Sequence, residues 1–149
     1  MTSGEGVILR FKRLRPDARQ PQRATPGATG YDLHACLQEP GYLDVGPVPV
    51  RVPTGVVIEA PRGCDVQIRP RSGLSQRGVM CVFGTLDPDY RGELFVTLYT
   101  TGTAEAQRVL NGERVAQLVV ARALEVTWEE AQTLSDTARG EGGHGSTGR

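Results

Sequence analysis

The sequence predicts an all-β fold, a sandwich or barrel, with one short helix and a single domain. Three observations carry this. Short segments of alternating or β-branched residues recur along the chain with turn residues between them, the pattern of many short strands. Ten prolines and 19 glycines deny any long helix. The 149 residues are ample for one core, and no internal repeat or domain boundary interrupts them.

The candidate strands follow in order. GVILRFKRL (6–14), TGVVIEA (54–60), DVQIRPR (65–71), RGELFVTLYTTG (91–102), ERVAQLVVARAL (113–124) and VTWEEA (126–131) carry β-branched or aromatic residues. In DVQIR, Val66 and Ile68 face one side while Asp65, Gln67 and Arg69 face the other, as in a half-buried strand. SGLSQRG (72–78) is the one credible helix, with Ser72 as its N-cap and Gly78 as its stop. The stretch 10–23 is locally basic but holds one aromatic, so it reads as a solvated strand and loop. RGEGGHGSTGR (139–149) is too rich in glycine for a helix or a core. By itself it is either a disordered tail or an arm that orders on an anionic ligand.

Composition excludes several function classes. Seventeen basic residues balance 17 acidic ones, so no overall field points to nucleic acid or to an anionic membrane. Lys12 is the single lysine among those cations; the rest are arginine, whose planar fork suits phosphates and carboxylates. Cys36, Cys64 and Cys81 are odd in number and unpaired in spacing, which predicts neither a disulfide framework nor a zinc site and favours a reducing compartment. His34 and His144 lack metal-ligand spacing. The opening residues break their apolar run with charge, unlike a signal peptide, and nothing reaches the length of a membrane span. The expectation is a cytoplasmic domain.

Five stretches look like neither core nor ordinary turn. PGATGYDLHA (26–35) places Asp32 after a glycine-rich turn. PRSGLS (70–75) gathers Arg71, Ser72 and Gly73 at the start of the helix, where free N–H groups and a guanidinium make an anion site; an ordinary capped helix has the same pattern. GTLDPDYRGE (84–93) is a compact acidic turn between apolar strands. GERVAQLVV (112–120) sets Gln117 in an apolar run, where an unpaired amide costs about 1–3 kcal/mol, so it has an internal partner or faces a ligand. The fifth is the tail.

In this order and at these separations, the five stretches resemble the five motifs of the trimeric dUTPase (dUTP pyrophosphatase) family, over nearly the whole chain from about Ala28 to Arg149. The resemblance implies a jelly-roll β-barrel over 1–138, followed by an arm, 139–149, that closes over an active site. It implies a homotrimer with sites shared between subunits, acting with Mg²⁺ on dUTP to give dUMP and pyrophosphate. That activity limits uracil incorporation into DNA and supplies dUMP for thymidylate synthesis. Nucleic acid and membrane are not expected partners.

The implied roles follow the motifs. Asp87 is the base for a water attacking the α-phosphorus. Arg71, Ser72, Gly73 and Gln117 contact phosphates, and Arg139, Ser146 and Thr147 on the arm clamp the γ-phosphate. Asp32 reaches, through water, a Mg²⁺ held mainly by the substrate phosphates. The hairpin from about Cys81 to Leu86, including Thr85, pairs with the uracil edge, and Tyr90 packs on deoxyribose against a 2′-hydroxyl. Two positions depart from the family: His144 stands where phenylalanine usually covers uracil, and Cys81 where bacterial members often carry asparagine.

Alternative readings remain. A dCTP deaminase shares the fold and the Asp87-Pro88 pair, but needs a glutamate base where Thr97 stands. A non-catalytic dUTPase-like nucleotide-binding protein would not need Asp87 beside Asp32, Tyr90, Gln117 and Arg139. A structural β-domain leaves the acidic turn and the arm without a purpose.

Overall fold

A computed structural model describes residues 6–102 and 105–143. In chain order the elements are β1 (Arg10–Arg13), β2 (Tyr31–His34), β3 (Tyr42–Val45), β4 (Val50–Pro53), β5 (Val56–Glu59), β6 (Cys64–Arg69), α1 (Ser72–Gln76), β7 (Val79–Cys81), β8 (Gly84–Leu86), β9 (Phe95–Thr100), β10 (Gln107–Leu110) and β11 (Arg114–Arg122). The pairings are antiparallel.

The all-β expectation with one short helix holds, but the jelly-roll barrel does not. The strands form two two-stranded sheets (β1–β5 and β10–β3), a four-stranded sheet (β2–β11–β6–β8) and a three-stranded sheet (β4–β9–β7). Each sheet among the described residues ends on open edges, and none closes on itself. A barrel needs one continuous, staggered ladder whose last strand returns to the first. Here most strands are only three to six residues long, and proline and glycine turns redirect the chain before a ladder can be carried round.

Alternation decides which faces are buried. Cys64, Val66 and Ile68 of β6 are buried while Asp65, Gln67 and Arg69 are half-exposed, as the sequence predicts. Val96, Leu98 and Thr100 of β9 do the same. With Leu33, Val45, Val52, Leu94 and Val115 they form one core, each such aliphatic side chain contributing about 1.5–3 kcal/mol by leaving water. In β11 the register slips between Arg114 and Ala116. That bulge lets the consecutive Val115 and Ala116 both be buried and sets Gln117 opposite Asp32 on one side and Arg69 on the other.

Three local expectations are corrected. Helix α1 starts one residue earlier in its capping than predicted: Arg71 is the N-cap, without a side-chain cap bond, and Ser72 lies inside the helix. Gly78, at φ +80°, does follow its end. The segment 126–131 forms no strand; it is exposed and unpaired among the described residues. Cys81 to Leu86 is not a hairpin, because β7 pairs with β9 and β8 pairs with β6, so the chain crosses between sheets there.

Candidate active site

Asp32 is the centre of a linked polar group. It sits mid-strand in β2, opposite Gln117 of β11. Its carboxylate meets the Arg71 guanidinium at 3.2 Å and that of Arg114 at 3.4 Å, with 14% of its side chain exposed. Arg71 also donates to the Arg114 carbonyl at 3.1 Å, which ties the start of α1 to β11. Gln117 has the internal partner that its position demands, donating from Nε2 to the Pro70 carbonyl at 2.9 Å. An amide carries two such hydrogens, so one donor remains. Gly30 permits this layout, because a Cβ there would collide with the Gln117 side chain.

Ser72 and Gly73 are exposed at the start of α1. The first bonds of the turn run from Leu74 N and Ser75 N to the Arg71 carbonyl, which leaves the N–H groups of Ser72 and Gly73 outside the ladder. His34 adjoins this group. Burial, and then Arg19, hold its imidazole below the ordinary histidine range, with Asp32 opposing, and its buried Nδ1 has no partner among the described residues.

The acidic turn is built differently. Asp87 follows β8 and is exposed; its side chain makes no hydrogen bond or ion pair with the described residues. Tyr90 N donates to the Asp87 carbonyl at 3.0 Å, and the Tyr90 hydroxyl donates to the Glu93 carbonyl at 3.0 Å. Arg91 braces the turn by donating to the Pro88 and Tyr90 carbonyls and to Glu59. Thr85 is exposed and Leu86 half-buried. Cys81 is buried, and burial pushes its thiol up to about 11; Val82 N is spent on the Thr97 carbonyl.

One chain does not bring these two groups together. Asp32, Gln117 and Arg69 share a row of the four-stranded sheet, whereas Leu86 pairs with Val66, further along β6 and at the far edge. With strand spacings of about 4.8 Å and rises of about 3.3 Å per residue, Asp32 and Leu86 are on the order of 15–20 Å apart, and Asp87 lies beyond Leu86. On the last stretch, the Arg139 Nε donates to the Gly142 carbonyl at 2.7 Å. His144, Ser146 and Thr147 lie outside the described residues.

Reasoning from motifs missed Arg114 as a partner of Asp32. It was inside a quoted stretch, but only the β2–β11 pairing reveals where it points. Among the described residues no three His, Cys, Asp or Glu side chains converge on a metal position, and no helix is long and apolar enough to cross a membrane. The single carboxylate of Asp32 therefore fits only an ion that brings most of its own ligands.

The comparisons agree with one another. The dUTPase family model matches residues 17–148. A deoxyuridine 5'-triphosphate nucleotidohydrolase of Treponema denticola is 42% identical over 144 residues, which cover 93% of this chain and 96% of that protein. A mutant of the Staphylococcus bacteriophage 80alpha dUTPase, solved with dUpNHpp, has the same fold at TM-score 0.80 and 23% identity, covering 95% of this chain and 99% of that one. A mutant dUTPase from phage phi11 of S. aureus, which coordinates a structural Mg(II) ion, matches at TM-score 0.74 and 20% identity over 85% of this chain and 97% of its own. With a match of this extent over the stretches that carry the site, the chain belongs to the dUTPase family.

Proposed function

We propose that this protein is a dUTP nucleotidohydrolase that cleaves dUTP to dUMP and pyrophosphate. The observation that carries the reading is 42% identity over nearly the whole length of a deoxyuridine 5'-triphosphate nucleotidohydrolase, in a chain that keeps both the arginine–aspartate cluster and the acidic turn. The substrate is a small nucleotide, and the product dUMP feeds thymidylate synthesis while uracil is kept from DNA.

In the mechanism, Asp87 accepts a proton from a water aimed at the α-phosphorus. The water oxygen bonds to that phosphorus as its bond to the bridging oxygen of the β-phosphate breaks, and pyrophosphate leaves with that oxygen. The carboxylate of Asp87, exposed and without a partner among the described residues, suits an acceptor role typically worth ~10²–10⁴ in rate. Arg71, the N–H groups of Ser72 and Gly73, and the spare amide hydrogen of Gln117 hold the phosphates, and charge-assisted bonds of this kind fix both place and orientation. Mg²⁺ carried on the triphosphate, with Asp32 meeting its waters, would offset charge on the phosphates. Arg139, Ser146 and Thr147 clamp the γ-phosphate, and His144 covers uracil. Cys81, Thr85 and Leu86 line the base, with backbone groups reading its edge, and Tyr90 lies against the sugar. The arm, 139–149, closes a site whose body lies in residues 1–138.

The site is shared between copies of a homotrimer. Two features support this. Asp32 and Asp87 of one chain stand too far apart to act on one phosphate chain. Beyond Ala123, which still bonds to Gly63, Leu124, Val126, Leu134 and the 90% exposed Trp128 lie uncovered, as a segment meant for another subunit would. Free Cys36, Cys64 and Cys81 suit a cytoplasmic enzyme.

The test is a panel of dUTP, dCTP, dTTP and UTP with Mg²⁺, reading pyrophosphate and ammonia. Selective pyrophosphate release from dUTP is expected. Ammonia from dCTP would instead establish the deaminase, against which Thr97 at the β9 position already speaks.

A further inference from the structure

We propose that Arg15 and Glu93 are a positioning pair for Tyr90 and so set how strongly the site prefers a deoxyribose over a ribose. This rests on the placement of Tyr90 against the sugar argued above. The Tyr90 ring lies over Gly92, where a Cβ would collide with the phenol, and its hydroxyl donates to the Glu93 carbonyl. The ring therefore goes where the Glu93 peptide goes.

That peptide is held from below. The Glu93 Oε1 accepts from Gly55 N at 2.7 Å and from the Arg15 guanidinium at 2.9 Å. Arg15 is fixed in turn, donating to the Cys36 carbonyl at 3.1 Å and to its sulfur at 3.2 Å. Only 15% of the Glu93 side chain and 24% of that of Arg15 are exposed, so solvent screens the pair little. The next residue, Leu94, is fully buried and bonds to Val56 and Thr54. Glu93 is thus the point where an exposed turn meets a rigid core.

The turn's other ionic brace is weaker. The Arg91–Glu59 pair leaves nearly half of each side chain in water, where such pairs contribute little. Sugar selection by crowding depends on tenths of an ångström between the ring and a 2′-oxygen. A largely buried carboxylate held at once by Arg15 and Gly55 N can keep that tolerance, and an exposed pair cannot. Arg15 lies in the basic stretch 10–23, outside all five motifs, which is why sequence reasoning passed over it.

The experiment measures kcat and KM for dUTP and UTP in the parent, Glu93→Gln, Arg15→Gln, the double variant and Tyr90→Phe, with thermal melting of each. Arg15→Lys, which keeps the charge but not the fork, covers the case in which a stronger variant fails to fold. In the single variants the dUTP-over-UTP preference should fall by about tenfold or more, as misplacement by a fraction of an ångström to an ångström does, approaching Tyr90→Phe. The double variant should be no worse than the poorer single one, the mark of two residues acting as one. A folded variant set with unchanged preference, or equal losses for both nucleotides, overturns the pair. A parent that releases no pyrophosphate from dUTP overturns the reading of the site itself, which the parent measurement alone reveals.

Discussion

The two ends of the four-stranded sheet are finished to different degrees. At one end Asp32, Arg71, Arg114, Gln117 and the Pro70 carbonyl interlock, so guanidinium and amide donors are already in place. At the other end the Asp87 turn is well braced along its backbone, yet its carboxylate faces solvent without a partner among the described residues. An anion-binding group gains from being ordered beforehand, since little reorganisation is then left for the moment of reaction. A base must stay available to water. The contrast is what the proposed divided site would require, with each copy offering a prepared phosphate cradle to one substrate and an unencumbered base to another.

The largest effect should come from the base. Asp87→Asn is expected to lower turnover by ~10²–10⁴ while leaving nucleotide binding largely intact. Mixing it with Arg71→Ala should give more activity at low dUTP than the two variants assayed separately, because some sites would then pair an intact turn with an intact cradle. If mixed oligomers are no more active at low dUTP than the sum of the two variants while each folds, the two ends do not come from different chains. Next in size, Arg71→Ala by itself should raise KM for dUTP about 10- to 100-fold, the worth of one or two hydrogen bonds to a charged group.

Gly30→Ala sharpens the same contrast through packing. Its methyl must displace the Gln117 side chain, so the melting temperature should fall, by an overpacking cost of about 1–3 kcal/mol, and KM should rise. A variant that melts and binds as the parent does would show the cradle to be looser than its bonds indicate.

Two pH effects are smaller. The Cys81 thiol is raised from 9.0 to about 11. The stability that its neutral form contributes is complete below pH 9.0 and is lost as pH rises through about 11, since the unfolded chain releases its proton first. Cys81→Ala should flatten that alkaline fall in a denaturation series. If the arm closes as proposed, a cationic imidazole at His144 should cover uracil less well than a neutral one. His144→Phe should then hold its KM between mildly acidic and neutral pH where the parent does not; identical profiles would remove the idea.

Particular residues show what was legible beforehand. In β6 and β9 the alternation of side chains named the buried face correctly, because each strand has a core on one side and solvent on the other. The same rule failed for 126–131, where Val126 and Trp128 alternate as in a strand but meet no strand partner among the described residues. The short strands β3, β7 and β10 lack a run of β-branched residues like the VVI of β5, and proline-flanked β4 fared no better. The sequence also gave no sign that β7 and β8 diverge into separate sheets, a choice made by which neighbour's edge each strand reaches.

Residue types and their spacing by themselves determined the all-β class, the short helix, the family and the candidate chemistry, because periodicity, turn residues and motif order are local properties. Only tertiary structure decided that Arg71 and Arg114 share Asp32, that Arg15 anchors Glu93, that the sheets stay open and that Asp87 stands apart from Asp32. Those outcomes depend on strand register and on contacts between residues far apart in the chain, and no local pattern encodes them.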